Sequence, residues 1–229
     1  MTTARQDTAA LRALRALEDG RSSVRLRAAL AIGSAPDPIF VGPLVERCAI
    51  EPEFFVRDML TWALTRHPVD LTFPGLLAEL RSARAQARSQ ALHSLSKIGD
   101  PRAWPAITRA LLTDADDDVA RSAWRAAVVL VPEDEGPGLA AVLATQLGRG
   151  TRETQLSLSQ ALVALGEVIE PLLRDAAGAE DPDVRAHALA TRQLLRDPDA
   201  GFESAIEEAR RIVALAGAPG TDNGACADR

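Results

Sequence analysis

The chain offers three histidines, two cysteines and a run of aspartates as candidates for chemistry, and their spacing argues against most of it. His67 precedes Pro68, His93 precedes Ser94 and His187 precedes Ala188, so the H-E-x-x-H pattern that binds zinc is absent. Asp114, Asp116, Asp117 and Asp118 supply carboxylates for a hard cation, but the sharp-turn glycine and distal bidentate glutamate of a calcium loop are missing. That run reads instead as a polar turn in which Asp118 or a neighbour caps the next helix, and Glu133, Asp134 and Glu135 after Pro132 read the same way. No G-x-x-x-x-G-K-[ST] loop, G-x-G-x-x-G turn or G-x-S-x-G elbow occurs. Cys48 sits in a helical pattern and Cys226 near the C-terminus, spaced for neither a disulfide framework nor zinc, which fits a reduced, cytoplasmic setting. No catalytic residue, metal ligand or cofactor site emerges, and the chain is expected not to be an enzyme. What remains is recognition chemistry: Asp58, Met59 and Trp62 lie within about one helical turn, with His93, Arg121, Arg125 and Gln160 further along. Tryptophan and arginine are the side chains that most often anchor binding interfaces.

Positioning these residues requires a scaffold, and the scaffold is legible as an internal repeat. A Val-Arg pair recurs at Val24-Arg25, Val56-Arg57 and Val184-Arg185, with weaker copies at Ala87-Arg88, at Val119 with Arg121, and at Thr154-Gln155. The six anchors are spaced 32, 31, 32, 35 and 30 residues apart, the period of a helix-pair array. Four residues past each anchor stand Ala28, Leu60, Ala91, Ala123, Leu158 and Ala188; eight past stand Ile32, Leu64, Leu95, Ala127, Leu162 and, breaking the series, Arg192. Offsets of 0, 4, 8 and 11 share one face of a helix, which predicts an amphipathic helix at every anchor with this stripe buried. Second helices are expected over Ile39–Ala49, Leu71–Leu80, Ala103–Leu112, Leu139–Leu147 and Val168–Leu173, and a last one over Phe202–Leu215. Asp37-Pro38, Asp100-Pro101 and Asp181-Pro182 read as helix starts, and Gly99, Gly148 and Gly166 as helix stops.

The Asp-Pro-x-Val-Arg-x-x-Ala run at Asp181–Ala188, with Ile98-Gly99-Asp100-Pro101 closing one helix and opening the next, resembles HEAT repeats, closest to the short bacterial form related to phycobilisome-lyase repeats. The resemblance implies an all-α solenoid of about six helix pairs plus a C-terminal helix, with the Val-Arg helices on the concave side. It also implies an inter-repeat ladder in which an acidic residue precedes each arginine. Asp19 with Arg25 and Glu51 with Arg57 match its spacing of six, while Ser82 and Ala115 depart from it. HEAT relatives that hydroxylate a modified lysine hold two irons through His-Glu pairs, and no such pair is present here.

On the concave side, offset 6 carries Leu30, Trp62, His93, Arg125, Gln160 and Ala190, and offset 2 carries Leu26, Asp58, Ser89, Arg121, Leu156 and Ala186. Trp104 is expected in the core, and Trp124 at offset 5 is open to either reading. Composition agrees with a helical fold: alanine and leucine abound, aromatics are 3%, and hydrophobic residues are 47% of 229. The net charge of −6 disfavours a nucleic-acid partner, although residues 1–110 carry +4 and the remainder −10. Residues 1–216 are expected to form the solenoid and 217–229 a disordered tail. No apolar run reaches the roughly 18 residues of a spanning helix, so no membrane is expected. The leading reading is a non-enzymatic, monomeric scaffold that binds a protein or peptide in its concave groove. Alternatives are an alkylated-DNA glycosylase-like protein, in which Asp58 and Trp62 would face the damaged base, and a groove for an apolar small molecule around Met59 and Trp62.

Overall fold

The structure, a computed structural model, describes residues 2–216. The tail expected over 217–229, with Cys226, lies outside the described residues. Among the described residues there is no strand. They divide into two compact units, the first ending at Val142 and the second beginning at Leu143.

The first unit comprises α1 (Thr2–Leu17), α2 (Ser22–Ser34), α3 (Val41–Cys48), α4 (Phe54–Thr65), α5 (Val69–Glu79), α6 (Ala85–Ile98), α7 (Arg109–Leu112) and α8 (Asp117–Leu130), and α9 (Gly136–Ala144) runs across the boundary. The second holds α10 (Arg152–Ala164), α11 (Glu170–Ala176), α12 (Pro182–Arg196) and α13 (Phe202–Ala216). The anchors all fall in even-numbered helices. In the first unit α2 packs on α4, α4 on α6 and α6 on α8, while α1, α3, α5 and α7 each back the anchor helix that follows. In the second unit α12 packs against α10, α11 and α13. Each unit is thus a stack of helix pairs of the HEAT-like, α-solenoid kind.

The buried stripe follows the phase of the repeat. All six residues at offset 4 are buried, as are Ile32, Leu64, Leu95, Ala127 and Leu162 at offset 8. Small residues at offset 4, such as Ala91 and Ala123, let neighbouring helices approach closely. Offset 11 is less regular: His67 and Leu130 are buried, Ala35 is exposed, and Ile98, Leu165 and Leu195 are half-buried because the helices end there. Asp37, Asp100 and Asp181 each accept a backbone N–H two residues on, and Asp116, a neighbour of Asp118, does so for α8. Gly99 closes α6 and Gly166 follows the end of α10, at φ of 71° and 73°, whereas α9 already stops at Ala144 and Gly148, at φ of 82°, ends the turn after it; this region is costly for any side chain with a Cβ.

Three expectations need correction. Ala103–Leu112 is not one helix: a 3-10 turn spans Pro101–Ala106 before α7, since Pro105 lacks the N–H an α-helix would need there. That turn leaves Trp104 half-buried rather than in the core. Trp124, which the sequence left open, is fully buried, and its Nε1 donates to the Leu112 carbonyl at 2.8 Å. Offsets 2 and 6 are not uniformly outward. Ser89 is buried against Ser122, and Ala186 and Ala190 are buried beneath Phe202, Ile206 and Ala209 of α13.

Candidate functional site

The outward face of the first unit's anchor helices gathers most of the residues that the sequence singled out. On α4, Phe55, Met59 and Trp62 follow one another at helical spacing on a single side, with Asp58 between them. Phe55 is 75% exposed and Trp62 37%, while Met59 is half-buried. The Trp62 ring lies on Gly33 of α2, where an added Cβ would overlap Cζ3 and Cε3 of the ring and reach within 3.0 Å of the Ala63 Cα. A glycine inside a helix costs about 1 kcal/mol relative to alanine, and here it provides the flat seat on which the indole rests. Leu30, one turn before Gly33, is also exposed.

Beyond α4 the face turns polar. His93 on α6 is half-buried, and its pKa is lowered by burial first and then by the charges of Arg125 and Lys97, against an opposing pull from Asp58. Asp58, His93, Lys97 and Arg125 therefore share one electrostatic neighbourhood. Arg125 is exposed and donates to the Ser122 Oγ at 3.1 Å. Arg121 is half-buried and stands 3.7 Å from the Asp118 carboxylate. Hydroxyl contacts hold the helices beneath this face in register: Thr61 Oγ1 to Ser94 Oγ at 3.3 Å, and Ser89 Oγ to Ser122 Oγ at 2.9 Å. Gln160 stands exposed on α10, which belongs to the second unit. Phe55 and Lys97 escaped the sequence reading, which stopped at offsets 2 and 6. Extending the same helical face by one turn in each direction, to offsets −1 and 10, reaches both.

The arginines at the anchors are wired differently from the ladder that the resemblance implies. Arg25 donates through Nη1 to the carbonyls of Asp19 and Gly20, at 2.8 and 3.0 Å, and not to the Asp19 carboxylate, which turns to Arg21. Arg57 does the same to the carbonyls of Glu51 and Pro52, Arg88 to Ser82 and Ala83, and Arg185 to Ala179 and Glu180. Every residue has a backbone carbonyl, so Ser82 serves at this place as well as an acid. The carboxylate partner comes instead from 26 residues further on. Arg25 forms two 2.7 Å bonds to Glu51, and Arg88 reaches Asp114 at 3.1 and 3.2 Å. Glu51 is fully buried. Burial alone would raise its pKa, but donation by Arg25, the Glu53 N–H and Arg47 brings it down to about 2.

The other two histidines and Cys48 are built into the core. His67 is buried with Nδ1 2.8 Å from the Ala63 carbonyl. His187 is buried in the second unit, where Nδ1 accepts from the Gly148 N–H at 3.0 Å and Nε2 faces the Gln155 carbonyl at 3.0 Å. Burial, only partly offset by the bond to Gln155, pushes its pKa down to about 4, and the charge of Arg210 adds to the fall. Burial raises the Cys48 thiol to about 12, far from a reactive thiolate. Among the described residues no group of three His, Cys, Asp or Glu converges to hold a metal ion, and no helix is long and apolar enough to cross a membrane.

No protein-family profile matches the chain, and no curated protein matches it. Among solved structures, it is similar to a chain in the complex of CpcE and CpcF of phycocyanin lyase from Nostoc sp. PCC7120, with 21% sequence identity over 90% of this chain and 85% of that chain and a TM-score of 0.45. That neighbour is part of a protein named as a lyase. The expectation that this chain is not an enzyme is therefore corrected and does not stand.

Proposed function

We propose that the chain is a binding module whose first unit takes a protein or peptide segment on the outward face of α2, α4, α6 and α8. The observation that carries this reading is Trp62: a large aromatic left 37% exposed on a glycine seat, next to the exposed Leu30 and Phe55. A core residue would be covered, whereas a rigid, half-exposed indole loses little conformational entropy when a ligand covers it. Arg125 and Lys97, exposed on α8 and α6 of the same outward face, supply polar groups that orient a ligand.

The test is a peptide-display selection on the full chain, repeated on Trp62→Ala and Arg125→Glu. Selected peptides should bind the wild type and weaken at least tenfold on Trp62→Ala, while Arg125→Glu melts within about 2 °C of wild type because that side chain is exposed, and Trp62→Ala, which loses the packing of its ring on Gly33, keeps a cooperative melt and its helical circular dichroism. Ligands that bind all three proteins equally would overturn the reading. A nucleic-acid ligand would instead show a steep fall of affinity with salt, flattened by about one unit in Arg125→Ala.

A further inference from the structure

The second unit contains a worked case of how this face is covered. At offsets 2 and 6 of α12 stand Ala186 and Ala190, the counterparts of Asp58 and Trp62 on α4, and α13 lies over them. It does so through Phe202, Ile206, Ala209 and Val213, one stripe of an amphipathic helix, and Leu156 of α10 packs against the same cluster. The flank of α13 is acidic, and Glu203 and Glu207 both pair with Arg152. The occupant of this face in the second unit is therefore an amphipathic helix whose apolar stripe meets the anchor helices and whose acids meet an arginine.

The first unit presents the matching half with no described helix on it. Phe55, Met59 and Trp62 form an apolar row on α4 about two helical turns long, roughly 10 Å at 1.5 Å per residue, and the exposed cations Lys97 on α6 and Arg125 on α8 lie further along the same outward face, both acting on His93. Resting on the binding role proposed above, we infer that the segment taken by the first unit is an acidic amphipathic helix of a partner protein. Its apolar residues at i, i+4 and i+7 lie along Phe55, Met59 and Trp62, and its carboxylates face Lys97 and Arg125. This is helix-in-groove recognition, with charge fixing the direction of the guest. Residues 217–229 of this chain do not fit the role, since they contain no Leu, Ile, Val, Phe or Trp to form the stripe.

The experiment uses two peptide libraries of equal composition displayed against the full chain. One places Leu, Ile or Phe at i, i+4 and i+7 with Glu between; the other scrambles the order and interrupts it with proline. Enrichment should come at least tenfold more from the patterned library. The enriched peptides should gain helical circular dichroism on binding, shift Trp62 fluorescence, and weaken at least fivefold with Lys97→Glu or when their Glu residues are changed to Lys. Equal enrichment from the scrambled library, still dependent on Trp62, would overturn the helix inference and leave the binding role intact. Binding indifferent to both Trp62→Ala and Arg125→Glu would overturn the two together. A concentration-dependent dimer of the chain that masks Trp62 would also overturn the inference, because the occupant would then be a second copy.

Discussion

Arg25 joins three segments at once, taking the carbonyls of the loop before it and the carboxylate of Glu51 from the next repeat. A buried charge that loses its partner typically costs about 3–5 kcal/mol, so Glu51→Ala, which strands both Arg25 and Arg47, should lower unfolding free energy by that amount in urea titration. Asp19→Ala should cost less than about 1 kcal/mol, because Arg25 uses the Asp19 carbonyl that alanine keeps. Equal losses would contradict the wiring. His187 contributes a pH dependence of definite sign. Its folded pKa, about 4, lies below the ordinary 6.5, so between these values the unfolded chain binds more protons. Stability is then full above pH 6.5 and falls as pH drops toward 4, by up to about 3 kcal/mol at 1.36 kcal/mol per unit. Denaturant midpoints measured from pH 7.5 to 4 should show this slope, and His187→Gln should flatten it.

At the scale of the element, α6 tests the helical phase. Leu95 is buried in the stripe with neighbours on both sides, and Leu95→Ala should cost about 2–5 kcal/mol because the cavity cannot collapse. His93, two residues earlier and on the outward face, is half-buried, and His93→Ala should cost under about 1 kcal/mol. Chemical denaturation of the two variants side by side checks this, and similar costs would mean that the outward face is misassigned. The second helices show where local signals stop being enough. Aliphatic spacing announced a helix over Ala103–Leu112, but Pro105 inside it breaks the hydrogen-bond ladder, leaving a 3-10 turn and four residues of α7. Capping, by contrast, was legible in full at Asp37, Asp100 and Asp181, since an N-cap depends only on a side chain and the two or three backbone amides after it.

For the whole molecule, the division into two units predicts that damage to one is felt there first. Truncation after Gly201 removes α13 and bares Ala186, Ala190 and Leu194. Hydrogen exchange should then show loss of amide protection in α12 and α10, with α4 and α6 keeping theirs. Uniform loss across both units would show a single cooperative body. What the sequence by itself determined was everything carried by a period of about 32 residues and a pitch of 3.6: the helix pairs, the buried stripe at offsets 4 and 8, and the caps and glycine stops. These rest on interactions within one helix or between a helix and its nearest copy, so the repeat prints them into the chain. Only the tertiary structure decided that Arg25 finds Glu51 rather than the Asp19 carboxylate, that Trp62 sits on Gly33, and that α13 covers Ala186 and Ala190. Each of these joins residues about ten to thirty apart, where the partner is chosen by which faces pack together, and no local propensity or spacing carries that choice.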